Sequence, residues 1–193
     1  RDIRLLRPLK NRFGRIEEIA LFQMHEHGLS EVRDPSTLFM VHRQETLPPG
    51  LSVAAVYEGS RVLLVELQAL IVPAKGSVSR VFSDRIDSNR VSRMAAVLEK
   101  HAGLRFSDQD VYVNVAGGIR LAEVGIELPL AIALCSARTD VPVPRKTVLA
   151  GEVSLTGEIR PISHMRRRLK TSTDMGFLRF IGPENSKEMV RAS

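Results

Sequence analysis

The sequence has no tryptophan, only two tyrosines and a single cysteine among 193 residues. A lone thiol cannot close an internal disulfide, so stability has to come from a packed core. Cys135, inside the apolar run LPLAIALCSA, is expected to be a buried structural thiol in a reducing compartment. Aromatics make up 5% of the chain, which leaves little for stacking on bases. No apolar run approaches the ~20 residues of a spanning helix, and no stretch reads as a signal peptide. A cytoplasmic chain with no membrane partner is therefore expected. Acidic residues are in deficit, 22 against 28 Lys and Arg, and the net charge of +6 favours an anionic partner. The 44% hydrophobic content can bury one sizeable core but hardly two full domains. The chain opens on Arg1 rather than Met, so a piece of a longer protein is expected.

Apolar spacing over residues 1–33 fits strands joined by turns, and Asp34-Pro35-Ser36 marks a module boundary. Two β-rich runs joined at Glu58-Gly59-Ser60 predict a hairpin. A helix follows, capped near Asp87 or Ser88 and stopped at Gly103, with Val91, Met94, Ala95 and Leu98 on its apolar face. DVYVNVAGG predicts a strand running into glycines. Residues 123–137 predict a buried helix, whose regular part starts near Glu127 because Pro129 is tolerated only in a first turn. TVLAGEVSLTGEIRPI predicts a second hairpin, SHMRRRLKTSTDM a helix capped by Ser163, and FLRFI a last strand. Strands and helices together predict one α/β core.

Several groups of residues carry chemistry. In LRPLKNRFG a turn presents Lys10 and Arg12 so that both can reach one phosphate. His25 and His27 sit two apart, but no further His or Cys stands at ligand spacing, so no metal is expected. Gly117-Gly118 lacks both the Gly-Lys-Ser/Thr ending of a phosphate loop and the full dinucleotide pattern. Arg85, Arg90 and Arg93 gather on the non-apolar side of the first helix and are the expected DNA track, against the alternative of a solvated helix side. A second basic group, Arg166, Arg167, Arg168 and Lys170, is expected to serve structure or subunit contacts.

KNRFG followed by PSTLF, EGSRVLLVELQAL, DSNR, VYVNVAGGIRL and GEVSLTGEIRP closely resembles the C-terminal part of the RadA (Sms) family of bacterial DNA repair proteins, over nearly the whole chain. The resemblance implies an α/β fold like the proteolytic domain of Lon protease, the ribosomal S-five domain-two-like fold, over residues 34–193. Residues 1–33 would then be the last β-hairpin of a RecA-like ATPase. It implies a homohexameric ring, contact with single-stranded and branched DNA, a RecA-type recombinase as a further partner, and ATP-driven branch migration. ATP, magnesium and zinc would belong to regions ahead of this chain, which itself would hold no cofactor. Lys10 and Arg12 would act as fingers on a neighbouring subunit's nucleotide, with Asn11 and Phe13 holding the turn and Gly14 permitting its backbone angle.

The likeness to Lon also raises peptide hydrolysis. Aligned on the family's serine–lysine dyad, the serine position falls on Glu127 and the lysine position on Arg166. A carboxylate cannot supply an acylating hydroxyl, and a guanidinium does not give up its proton at working pH. The expected chain is therefore non-proteolytic, with Glu127 and Arg166 paired to each other at the lost site. Two alternatives stand beside this: an oligomerisation scaffold that binds no DNA, and a peptidase with a displaced dyad using Ser136 or Ser154 with Lys170.

Overall fold

The computed structural model describes residues 3–6, 20–32, 47–76 and 78–183. Its centre is a mixed six-stranded sheet in the order β11-β8-β4-β5-β7-β6. β4 (Leu51–Glu58) and β5 (Arg61–Pro73) form the predicted hairpin, closed at Gly59, whose φ of 61° suits a residue without Cβ. β7 (Gln109–Val115) pairs antiparallel with β5, and β6 (Val81–Ser83) adds a short parallel edge. On the other side β8 (Thr147–Leu149) runs parallel to β4, and β11 (Arg179–Ile181) parallel to β8. The sheet is thus α/β as expected, with both parallel and antiparallel ladders.

Every residue of β4 from Leu51 to Val56 is buried, because both faces of the strand are covered. On one face Ala54, Val56, Leu63, Val65 and Leu67 meet α1 (Ser88–Ala102) and α2 (Glu127–Thr139). On the other face Leu51, Val53, Ala55, Val62 and Leu64 meet Ile162, Met175, Phe177 and Phe180, around α3 (Met165–Asp174). α1 starts where the sequence says: the Asp87 carboxylate accepts from the amides of Asn89 and Arg90, and Gly103 ends the helix at φ 68°. Val91, Met94 and Ala95 face inward as predicted, with Leu98 partly buried against the same cluster.

α2 begins at Glu127, after a short turn at residues 124–126, and Pro129 falls in its first turn. In the first turn Pro129 removes no intrahelical bond, because the amides there have no partner within the helix. The residues around it bond outward instead: the amide of Gly151 donates to Gly125 O at 3.0 Å, and Gly151 O accepts from Leu128 N at 3.0 Å. These two bonds tie the helix start to the loop after β8.

Three local expectations need correction. Residues 147–162 do not make one hairpin: β8 belongs to the central sheet, and only β9 (Glu152–Val153) and β10 (Ile159–Arg160) pair with each other. Nor does Ser163 cap α3. The residue before the helix is His164, in the left-handed region at φ 60°, with no capping side chain, while the Ser163 carbonyl accepts from Arg168 Nε at 3.0 Å. At the N-terminus β1 (Ile3–Leu6), β2 (Ala20–His25) and β3 (Gly28–Glu31) form a three-stranded antiparallel sheet rather than a lone hairpin. Val32, directly after it, packs against the larger core cluster. The KNRFG residues Lys10, Asn11, Arg12, Phe13 and Gly14, and the segment following the expected boundary at residues 33–34, lie outside the described residues.

α3 is held by Arg168, a charged side chain only 1% exposed. Its two terminal nitrogens meet the two carboxylate oxygens of Glu123, both at 2.8 Å, and Nη1 also donates to the carbonyl of Ala55. Glu123 Oε1 accepts in addition from Tyr57 N at 3.0 Å. Glu123→Ala would strand the guanidinium away from water and is expected to cost about 3–5 kcal/mol. Paired with Arg168→Met it should cost less than the sum of the two single changes, as a double-mutant cycle by urea unfolding would measure.

Candidate functional site

The first residue of α2, Glu127, is 4% exposed and placed where the helix amides favour negative charge. Packing of α1 against α2, with the starts of the two helices side by side, brings two arginines to it. Arg93 Nη2 donates to Oε1 at 3.1 Å, and Arg90 Nε lies 3.5 Å from the same oxygen. Oε2 accepts from Val153 N at 3.1 Å, which fastens β9 to the helix start. Beside this cluster lies a cleft of about 340 Å³, lined by Arg93, Glu127, Glu152, Ser154, Thr156 and Arg160.

A carboxylate with both oxygens engaged by donors can organise charge, but it offers no hydroxyl for acylation. The expected partner was Arg166, and this is corrected: Arg166 is exposed, and Glu127 pairs instead with Arg90 and Arg93. The reason is geometric. Arg90 and Arg93 stand one helical turn apart on the side of α1 that meets α2, whereas Arg168 is the residue α3 turns inward.

The structure separates the three arginines expected on DNA. Arg90 also donates from Nη1 to the carbonyls of Ala122 at 2.9 Å and Glu123 at 3.0 Å, and its side chain is 16% exposed. It is a bracket for the loop before α2. The Arg93 side chain remains 52% exposed beside Glu127. Arg85 is exposed on the loop joining β6 to α1, with its guanidinium near Gly118. In the second basic group Arg168 is structural as expected, Arg167 donates to the Tyr57 hydroxyl at 2.9 Å, and Lys170 pairs with Asp174 at 2.7 Å.

The serines considered as displaced nucleophiles hold local structure. Ser136 Oγ donates to Val141 O at 2.6 Å and accepts from Gly50 N at 2.9 Å. Ser154 Oγ is bonded to Thr156 Oγ1 at 2.7 Å and accepts from Glu158 N at 3.1 Å. Cys135 is half-buried, and burial pushes its thiol pKa up, away from the reactive thiolate. His25 Nε2 meets Ser30 Oγ at 2.7 Å across the β2–β3 hairpin. Among the described residues no three His, Cys, Asp or Glu side chains gather as a metal site, and no helix is long and apolar enough to cross a membrane.

One feature escaped the sequence reading, which counted aromatics as scarce. Phe82 and Tyr112 stack on the outer face of the sheet, with centroids 4.5 Å apart. The signal was the alternation of β7, where Tyr112 stands between the inward Val111 and Val113.

A family model described as subunit ChlI of Mg-chelatase matches residues 83–186, more than half of the chain. Among curated proteins, the DNA repair protein RadA of Treponema pallidum (strain Nichols) is 58% identical over 176 residues, 91% of this chain and 39% of the relative. RadA of Bacillus subtilis (strain 168) is 44% identical over 180 residues, 93% of this chain and 39% of its own. RadA of Escherichia coli (strain K12) is 42% identical over 180 residues, with the same shares. The chain thus spans about two-fifths of the length of these relatives. It belongs to the family that the matching model describes and, within it, is similar to the bacterial DNA repair proteins called RadA.

Proposed function

We propose that the chain is a proteolytically silent, Lon-like α/β scaffold of a RadA-type DNA repair protein, which builds a homohexameric ring and offers cations to DNA while an ATPase outside it drives branch migration. The observation that supports the reading is the saturation of Glu127, the residue that the resemblance aligns with a Lon nucleophile, whose carboxylate oxygens are both taken up by Arg90, Arg93 and Val153 N. The division at residues 33–34 belongs to the same reading, residues 1–33 being the ATPase's last strands and residues 34–193 the Lon-like domain. The β2–β3 hairpin supports it. Zinc, ATP and magnesium would sit in the preceding regions, and a RecA-type recombinase would be a further partner.

The DNA track is Arg85 and Arg93, with Arg90 positioning the loop that carries Glu123. Contact is to phosphate, because a motor that moves along DNA has to tolerate any sequence. A scaffold that touches no DNA is favoured by one observation, the engagement of Arg90 and Arg93 with Glu127.

Three outcomes check the reading. A clean preparation should leave a fluorogenic peptide uncut at the buffer rate, and turnover abolished by Ser136→Ala or Ser154→Ala would restore the peptidase. Arg85→Ala and Arg93→Ala should each weaken binding of two unrelated oligonucleotides alike and flatten the slope of log affinity against log salt by about 0.7 to 0.9; wild-type chain that binds neither oligonucleotide at low salt would leave the scaffold alone. In the longer, ATPase-bearing protein, Lys10→Ala or Arg12→Ala should spare nucleotide affinity and cut DNA-stimulated hydrolysis, by up to roughly 10³- to 10⁵-fold for a finger of this kind. Equal loss of affinity and turnover would point to ground-state binding.

A further inference from the structure

α3 and the residues around it cover only part of their side of the sheet. Past Leu67, β5 runs out from under them and continues beside β7 and β6 with its outer face open. Register places three side chains in one row: Leu70 stands opposite Tyr112, and Tyr112 opposite Phe82. The two rings lie within 9° of parallel, yet Tyr112 is 38% and Phe82 41% exposed. The Arg80 guanidinium lies 5.3 Å from the Phe82 centroid, and Asp110 holds it at 2.6 Å. In the next row Asn114 donates to Gln68 Oε1 at 3.2 Å. A cavity of about 390 Å³ opens over these rows, lined in part by Asp84.

We propose that this open half of the sheet is a stacking platform for unpaired bases of single-stranded DNA. The proposal rests on the DNA contact proposed above and assigns it a second surface, distinct in chemistry from the phosphate track. The volume lies within the ~300–1,000 Å³ range of small-molecule sites. A phosphate would meet Asp84 and an arginine already neutralised by Asp110, so the sugar–phosphate backbone is not what this surface holds.

A base suits it. One π-face can lie against Tyr112, which the stacked Phe82 and the guanidinium over it hold upright. The remaining amide hydrogen and the carbonyl oxygen of Asn114, with the Asp84 carboxylate, then offer donors and acceptors to the base edge. Paired DNA cannot present such a face, since its bases are already stacked. The strand's phosphates would pass the β6–α1 loop, where Arg85 is exposed. A second copy of the chain fits less well, because three apolar side chains rimmed by Asp84, Arg80, Gln68 and Asn114 make a small patch beside the ~800 Å² per partner of a standard interface.

The test uses the full chain and an oligothymidine strand carrying one 2-aminopurine, whose fluorescence falls on stacking. Tyr112→Leu and Phe82→Leu keep apolar volume and remove the ring, and Tyr112→Trp keeps a ring. The expected result is a loss of single-strand affinity of about 5- to 150-fold and of quenching in the leucine variants, retention in Tyr112→Trp, an unchanged salt slope and unchanged duplex binding. If wild type binds the strand and the leucine variants bind and quench equally, the platform is overturned while the phosphate track stands. If those variants change the sedimenting mass and leave DNA binding alone, the face joins copies of the chain and the proposal is again overturned. If wild type binds no DNA at all, the platform and the DNA contact of the proposed function fall together.

Discussion

Both faces of β4 have to be buried, and the rest of the architecture follows from that requirement. A strand whose every residue from Leu51 to Val56 is apolar or hydrogen-bonded and shielded cannot lie on a solvated sheet. One face needs α1 and α2, and the other needs α3 with Phe177 and Phe180. The polar exception, Ser52, meets the same demand by donating to the carbonyl of Pro129 at 2.8 Å, which joins strand and helix through a single hydroxyl. Cover thins out along β5, and the sheet turns from buried core to exposed surface within that one strand.

The charged groups are organised by the same packing. Two acidic residues in one loop and the helix start that follows it, Glu123 and Glu127, each gather arginine from a different helix: Glu123 from α3, and Glu127 from α1. Hydrogen bonds to Tyr57 N and Val153 N extend both carboxylates to neighbouring strands. Glu127 is thereby a saturated acceptor that links α1, α2 and β9. The cleft beside it therefore has fixed walls on the helical side and a hairpin at its mouth. His101 at the end of α1 steadies that hairpin, its Nε2 lying 3.0 Å from Leu155 O.

Much of this was legible locally. Asp87 and Gly103 bracket α1 because caps are short-range chemistry, and Pro129 marks the start of α2 because a proline has few permitted helix positions. What was not legible depends on distant partners. β8 is three residues long and joins a strand some ninety residues earlier, so its sequence looks like one arm of a local hairpin. The partner of Glu127 could not be read from an alignment of dyad positions, because helix packing selects Arg90 and Arg93, more than thirty residues upstream. The scarcity of aromatics was a correct count that could not show two of them sharing one row of the sheet, since strand pairing brings Phe82 beside Tyr112.

The buried guanidinium of Arg168 has a bearing on the order of assembly. Its acceptors lie 45 residues back along the chain at Glu123 and 113 residues back at Ala55. Because the guanidinium keeps its charge, it cannot leave water before those acceptors stand in place. In a chain synthesised from its N-terminus both emerge first, and domains tend to fold as they appear. α3 is thereby a late element, one that can dock only once β4 and the loop before α2 are in place.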